Sequence, residues 1–339
     1  MTNVGVTGPI LEVSNLTVHF GQIAAVNDVS LTLQRGETLG LVGESGSGKS
    51  TASRAILQIT PPTGGKVRFD GEELVGAIGA RLKAVRRRIQ MVFQDPRSSL
   101  DPRMSVGALL AEPLVIFGIG TRASRKAKVA EMLHLVGLDP SVSSRYPHEF
   151  SGGQAQRIAI ARALILEPEL IIADEPVSAL DVSIQAQIIN LLVKLRRQLN
   201  LSMLFIAHDL AVVRHISDRV AVMYLGRIVE IAERDRLYGA PAHPYTRALL
   251  SAVPVPDPAA ERQHKREILT GELPSPGQMP SGCPFRSRCP LHVRLGRPEV
   301  CANVLPPLAE VARGQSATCH FAGNGSAAVP AGRQQEIRH

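Results

Sequence analysis

The chain contains no tryptophan, and aromatic residues make up only 4% of its 339 positions. That scarcity argues against an aromatic stacking platform for single-stranded nucleic acid, and no nucleic-acid-binding module is recognisable. Long apolar runs are missing too. Lys, Arg, Asp or Glu interrupts every stretch before the roughly 18 residues that a membrane span requires. Met1–Pro9 shows neither a basic start nor an apolar stretch, so no export signal is expected and the chain should stay in the cytosol. Cysteine is confined to four positions, all from Cys283 onward. Such usage in a cytosolic chain does not read as a disulfide framework. With 44% hydrophobic and 20% charged residues, the composition is that of an ordinary globular protein, which sets aside disorder and collagen-like repeats.

The length predicts about two domains. The formal balance of +8 raises the question of an anionic partner, nucleic acid or lipid. Up to about residue 240, short apolar runs alternate with helical patterns, which predicts an α/β fold with a largely parallel sheet. Leu11–Phe20, Ser30–Leu33, Thr38–Val42, Ile89–Phe93, Leu170–Ala173 and Met203–Ala207 read as strands. Ala155–Leu166 and Ile184–Leu199 read as helices. Between Asp95 and Phe150 strand signals stop, leaving a mostly helical insertion over about 95–158. From Pro241 onward lie 14 of the 24 prolines, which places a domain boundary near residue 240. A C-terminal domain is expected over 241–322 and a loose tail over 323–339.

Gly43-Glu44-Ser45-Gly46-Ser47-Gly48-Lys49-Ser50-Thr51 follows a strand and precedes a helix, the context in which G-x-x-x-x-G-K-[ST] binds nucleotide phosphates. Gly43, Gly46 and Gly48 let backbone N–H groups curl around phosphate oxygens, and the following helix directs its positive end at the same anion. Lys49 is placed to reach the β- and γ-phosphates, and the Ser50 hydroxyl to ligate Mg²⁺. Leu170-Ile-Ile-Ala-Asp174-Glu175 ends an apolar strand in adjacent carboxylates. Asp174 suits Mg²⁺ coordination, and Glu175 could polarise an attacking water. His208 follows another apolar strand, where it suits sensing of the γ-phosphate.

With Phe150-Ser151-Gly152-Gly153-Gln154 added, the chain resembles the ATP-binding cassette (ABC) transporter family over nearly all of residues 11–235. The resemblance implies a P-loop NTPase fold with a RecA-like core, an antiparallel β subdomain and a helical subdomain. It also implies that Ser151, Gly152 and Gly153 contact a γ-phosphate held by an opposite cassette, with Gln154 completing that signature. Gln94 resembles the glutamine that links the Mg²⁺ site to a membrane partner, and Ser178-Ala-Leu-Asp181 the family's D-loop. His208 resembles its switch histidine, and Phe20 the aromatic residue stacked on adenine. A single phosphate loop and a single signature imply a second cassette, closing head to tail with ATP between the two.

Gln94-Asp-Pro-Arg-Ser-Ser-Leu-Asp-Pro102, Asp174–Gln185 and Val222–Val229 resemble the oligopeptide/dipeptide importers, in particular the second of their two ATPase subunits. His243–Leu250 and Pro280–Phe285 are similar to that subfamily's C-terminal extension. Implied partners are a related ATPase subunit, two permeases and, indirectly, an extracytoplasmic solute-binding protein, with the chain peripheral on the cytoplasmic face of the inner membrane. Nickel importers share the extension, so import of nickel or another small solute is the alternative. A soluble ABC ATPase acting on ribosome or DNA is the rival from a different class. Such proteins carry two cassettes per chain or a long coiled coil, and neither is visible. A non-hydrolysing cassette is disfavoured because Lys49, Asp174, Glu175 and His208 are all present.

Cys283, Cys289, Cys301 and Cys319 read as a tetrahedral site, since four thiolates suit zinc or a [4Fe–4S] cluster; four unligated thiols are the plain alternative. The subfamily resemblance favours iron–sulfur. Arg81, Lys83, Arg86, Arg87 and Arg88, with Arg122, Arg125, Lys126 and Lys128, read as solvated helix faces, the alternative being contact with lipid head groups or a permease loop.

Overall fold

A computed structural model describes residues 8–253 and 279–322, together with residues 267, 269, 271 and 274. The expected tail over 323–339 lies outside the described residues. The chain divides between Ile228 and Val229 into two compact units.

In the first unit, β1 (Leu11–Phe20), β2 (Ile23–Leu33), β4 (Gly64–Phe69) and β5 (Glu72–Glu73) form an antiparallel sheet in the order β2-β1-β4-β5. Strand β2 starts seven residues before the stretch that patterning picks out, because Phe20 already pairs with Ile23 across a tight turn at Gly21. Its first half, with Ala24, Ala25, Asn27 and Asp28, lacks the alternation that marks a half-buried strand.

The central sheet is parallel: β3 (Thr38–Val42) lies between β9 (Arg219–Tyr224) and β8 (Ser202–Ala207), followed by β7 (Leu170–Asp174) and β6 (Ile89–Val92). Every residue of β3, β7 and β8 is buried, the pattern of a parallel sheet covered on both faces. Register decides what emerges at one edge. Val42 pairs with Ala207, Asp174 with Ile206, and Val92 with Ala173. The segments starting at Gly43, Glu175, His208 and Phe93 therefore leave the sheet side by side, at the carboxyl ends of the strands where parallel sheets bind ligands.

Around these strands run α1 (Lys49–Ile56), α2 (Gly79–Arg88), α3 (Pro96–Ser99), α4 (Val106–Ile116), α5 (Arg122–Leu135), α6 (Gly152–Leu164), α7 (Val182–Leu199) and α8 (Leu210–Ile216). The 95–150 stretch is helical, with two further 3₁₀ turns at Pro140–Ser144 and Pro147–Glu149. Helix α6 starts three residues before its apolar pattern, because Ser151 caps it with an amide bond from Gln154. Helix α7 is capped by Asp181 and ends at Asn200 in the left-handed conformation.

The basic stretches form exposed helix faces, with Arg81, Lys83, Arg86, Arg87, Arg122 and Lys126 all open to solvent, and several of these charges are also paired. Arg81 pairs with Glu72 at 2.6 Å, and Lys83 donates to the Ile116 carbonyl at 2.8 Å. Arg86 donates to the Gln58 carbonyl at 2.8 Å, and Arg88 reaches both Asp70 and Glu169 at 2.5 Å. Lys128 bridges Glu131 and Glu167 at 3.0 and 2.6 Å.

In the second unit, β10 (Arg227–Glu233, whose first two residues close the first unit) pairs through Glu230–Ala232 with β12 (Gln315–Ala317), which pairs with β11 (Ala309–Ala312). This pairing is why the compact division precedes the proline-rich stretch. Helices α9 (Arg234–Gly239), α10 (Pro244–Ser251), α11 (Pro290–Arg294) and α12 (Val300–Asn303) complete the unit. Buried Glu230 accepts from the amides of Ala242 and His243 at 2.8 Å each and from Gln315 Nε2 at 2.7 Å. The carboxylate is thereby satisfied without a counterion.

Candidate nucleotide site

The loop from β3 to α1 requires its glycines. A Cβ at Gly43 would stand 2.2 Å from the Met223 carbonyl oxygen, and one at Gly48, where φ is +99°, would stand 2.2 Å from the Ala25 carbonyl oxygen. Lys49 opens α1 and is only 4% exposed. Its ammonium donates to the carbonyls of Gly43 and Glu44 at 2.8 Å each and approaches Ser47 Oγ at 3.4 Å. Burial lowers its pKa, and the nearby charges of Glu175, Asp174 and Glu44 oppose that shift. The lysine is thus held curled inside a ring of loop carbonyls, ready to exchange them for a stronger anion.

Ser50 Oγ donates to Asp174 Oδ1 at 2.9 Å. Asp174 is 2% exposed, and burial raises its pKa against the opposing effects of Ser50, Arg54 and Lys49. A hydroxyl beside a buried carboxylate is the hard-oxygen donor set that Mg²⁺ takes, with water filling its other positions. The donor chemistry fits the ion, whose charge would also relieve the desolvated carboxylate.

Glu175 lies next to this pair. Its Oε2 accepts from Gln94 Nε2 at 3.1 Å and stands 3.4 Å from His208 Nδ1. Ser45, Gln94, Glu175, Ser178 and His208 line one open cleft of ≈ 580 Å³, with Asp95 and Ala179. Asp95 and Ala179 belong to the Gln94–Pro102 and Ser178–Asp181 motifs but are not singled out as site residues by sequence. They join the cleft as neighbours of Gln94 and Ser178, and the Asp95 side chain is engaged in capping α3 through Arg97 N.

The signature segment does not line that cleft. Ser151 and Gln154 form a reciprocal capping box at the start of α6, with bonds of 3.1 and 3.4 Å. A Cβ on Gly153 would meet Ile184 Cγ2 at 2.5 Å, and one on Gly152 would meet Leu180 Cδ2 at 3.2 Å. Gly153 therefore also serves the packing of α6 against α7, and Gly152 the packing of α6 against the segment before α7. Asp181 is engaged locally, accepting from Ile184 N at 3.0 Å. Phe20 is 54% exposed at the end of β1 and is not among the cleft residues. Ser47 is buried, its carbonyl accepting from Gly226 N at 2.9 Å, while Thr51 is half-buried in α1.

In the second unit, Cys283, Cys289, Cys301 and Cys319 line a single small cavity with Phe285 and His320. All four are free, and burial is the first cause of the raised pKa of each, taking Cys283 up to about 12. Among the described residues, no set of three or more His, Cys, Asp or Glu side chains is gathered closely enough to hold an ion. The convergence is present; the ligand geometry of the expected metal or iron–sulfur site is not.

A phosphate-type loop, a serine–carboxylate pair and a second carboxylate at the ends of parallel strands define the class: a P-loop nucleotide-binding ATPase. The ABC transporter family matches residues 26–178, and the oligopeptide/dipeptide transporter C-terminal region matches residues 229–294. The oligopeptide transport ATP-binding protein OppF of Salmonella typhimurium is 54% identical over 313 residues, covering 88% of this chain and 92% of the relative. Its namesake in Escherichia coli is 54% identical over the same span and shares. Among solved structures, a dimeric ATP-binding cassette in a post-hydrolysis state bound to ADP and Pi is 31% identical. It covers 66% of this chain and 98% of its own, with a TM-score of 0.60. The cassette cbiO1 of Clostridium perfringens is 27% identical, covering 69% and 92%, with a TM-score of 0.63. The chain belongs to the ABC transporter family, as an ATP-binding subunit with the oligopeptide/dipeptide type of C-terminal region.

Proposed function

We propose that this chain hydrolyses ATP to drive import of oligopeptides or dipeptides, as one of two different ATPase subunits on the cytoplasmic face of the membrane. The observation that carries the reading is the convergence of Lys49, the Ser50–Asp174 pair, Glu175, Gln94 and His208 at one sheet edge, in a chain whose relatives are named oligopeptide transport proteins. Lys49 and the loop amides hold the β- and γ-phosphates, and Ser50 and Asp174 would hold Mg²⁺, which when bound would supply positive charge for the phosphoryl oxygens. Glu175 accepts a proton from the attacking water, and His208 orients the γ-phosphate.

Ser151–Gln154 carry the family's signature and open helix α6, and they are assigned to a nucleotide held by a second, related cassette. Closure of the pair on ATP and reopening after hydrolysis supply the motion. A groove of ≈ 250 Å³, lined by Ile89, Met91, Phe93, Ile116 and Phe117 with Arg86 and Arg162 among its polar groups, includes the residue before Gln94. It supports docking of a permease segment that senses the nucleotide through that glutamine. Two permeases and an extracytoplasmic solute-binding protein complete the machine. Among the described residues no helix is long and apolar enough to cross a membrane, so membrane attachment is assigned to the permeases.

The four cysteines are proposed to take up a [4Fe–4S] cluster or zinc. Support comes from their common cavity, since four thiolates converging on one space are the donor set of either group. Anaerobically purified protein should absorb near ~400 nm and contain iron; stoichiometric zinc without iron would decide for the other metal, and neither would retire the site.

The importer reading is tested by gentle detergent extraction with a tag on this chain. Recovery of two permeases and a second ATPase supports it, whereas ribosomes or DNA overturn it. In that complex Glu175→Gln should trap an ATP-bound closed pair with little turnover; unchanged hydrolysis rejects the role of Glu175.

A further inference from the structure

Successive side chains of an extended strand point to opposite faces. A straight continuation of β7 past Asp174 would therefore turn the Glu175 carboxylate away from the nucleotide side. Instead, Glu175 Oε2 faces Gln94 and His208, and Glu175 lines the cleft together with Ser45 of the phosphate loop. The reversal happens in the backbone: Glu175 sits at φ +46°, the left-handed region that a residue with a side chain enters only when its surroundings impose it.

Two groups impose it. The Glu175 amide donates to the Ile206 carbonyl at 2.9 Å, which keeps the residue tied to β8. On the other side the Glu175 carbonyl accepts twice from Ser178, from its amide at 3.2 Å and from its hydroxyl at 3.1 Å. The amide bond closes a turn that most residues at position 178 could close. The hydroxyl bond depends on the side chain.

We propose that Ser178 is a positioning residue for ATP hydrolysis: its hydroxyl clamps the Glu175 carbonyl in the left-handed turn that directs the Glu175 carboxylate toward Gln94, His208 and the cleft. The inference rests on the assignment of Glu175 as the group that takes the proton of the attacking water. Ser178 itself transfers no proton and holds no nucleotide in this scheme. Its effect is confined to the turnover step, because Lys49, Ser50 and Asp174 bind the nucleotide without it.

The test uses the full chain in the complex that it recovers from membranes. Ser178→Ala should lower kcat about fivefold, the equivalent of one lost hydrogen bond, with KM for ATP and the affinity for a fluorescent ATP analogue unchanged. Ser178→Thr, which keeps the hydroxyl, should restore kcat to within about twofold. Ser178→Cys, a weak donor of similar size, should behave like the alanine variant and covers the case in which that variant folds poorly. In single-turnover measurements on a Glu175→Gln background, Ser178→Ala should cause no further loss, since a clamp acts only through the group it positions. Unchanged kcat in both the alanine and cysteine variants, equal losses in the alanine and threonine variants, or a full additional loss on the Glu175→Gln background would each overturn the proposal. Should Glu175→Gln alone leave turnover intact, the proposal falls with the assignment of Glu175, a result distinct from any of these.

Discussion

Ser50 and Asp174 stand 124 residues apart in the chain, yet the Ser50 hydroxyl donates to Asp174 Oδ1 at 2.9 Å. The bond joins the first turn of α1 to the end of β7 and leaves a buried carboxylate without a full counterion of its own. Such a contact is poor for stability and good for Mg²⁺, because the ion supplies what the fold withholds.

Asp174→Asn should therefore stabilise the nucleotide-free protein while removing function. The folded-state pKa of Asp174 is raised by burial. Stability associated with this group is present below the unfolded carboxyl pKa and is lost as pH rises through the folded value, so at neutral pH the charged group is a net cost. Denaturant unfolding at pH 7 should give the variant about 1 kcal/mol more stability than the parent. Addition of Mg²⁺ with ATP should raise the melting temperature of the parent and leave that of the variant unmoved.

Lys49→Ala removes the cation curled against the Gly43 and Glu44 carbonyls. Hydrolysis should fall by at least about 10²-fold, the scale seen when a charge-stabilising donor is lost from a phosphoryl-transfer site. Far-UV circular dichroism should not change, because the loop glycines and α1 keep their partners. ATP-analogue binding and steady-state turnover check the two halves of the expectation.

Gly153→Ala places a methyl group 2.5 Å from Ile184 Cγ2. The overlap should cost about 1–3 kcal/mol in equilibrium unfolding, the range for overpacking a close helix contact. Ile184→Leu has no methyl at that Cγ2 position, and combining it with Gly153→Ala should recover most of the loss. Failure of the pair to recover stability would mean that the substitution acts elsewhere.

His243 is buried and neutral. Its Nδ1 accepts from the Tyr245 amide at 3.1 Å, and its ring lies 5.5 Å from that of Phe285. Burial, above all, pushes its pKa down to about 3. The folded value lies below the unfolded one, so the stability it contributes is present above about pH 6.5 and is lost as pH falls toward 3. Between pH 6.5 and 4 the second unit should lose on the order of 2–3 kcal/mol. Tyr245 and Phe285 lie close together, 5.4 Å between ring centroids, and tyrosine fluorescence can follow the transition. His243→Asn keeps a capping side chain and should flatten the acid limb.

Much of the first unit was legible from pattern alone. Leu11–Phe20 and Thr38–Val42 have the bounds that alternation and the apolar run predict, and Leu170–Asp174 extends its predicted strand by one residue. The stretches that escaped are those with weak periodicity: the small, polar start of β2, and Gly64–Phe69, which alternates against charged Lys66 and Arg68. The basic helices are exposed as their charge predicts, but sequence shows charges and not partners. Arg88 finds Asp70 and Glu169 only once the residue after β4 and the residue before β7 are brought to the end of α2.

Lys49, Ser50, Asp174, Glu175, His208 and the glycines of the loop announce themselves locally, because close approach to phosphate restricts residue type at fixed spacing. Their joint use could not be read there. The register that aligns Val42 with Ala207 and Asp174 with Ile206 brings the segments together, and a left-handed turn at Glu175, bonded to Ser178, faces a second carboxylate to Gln94 and His208. Likewise the four cysteines were visible as a set, but their meeting in one cavity depends on how the second unit folds around Phe285. Motif chemistry is written in residue identity because it acts over one or two bonds' reach. Alignment across a sheet, and the facing of one side chain toward another, are properties of hydrogen-bond register and backbone dihedrals, which exist only in the folded chain.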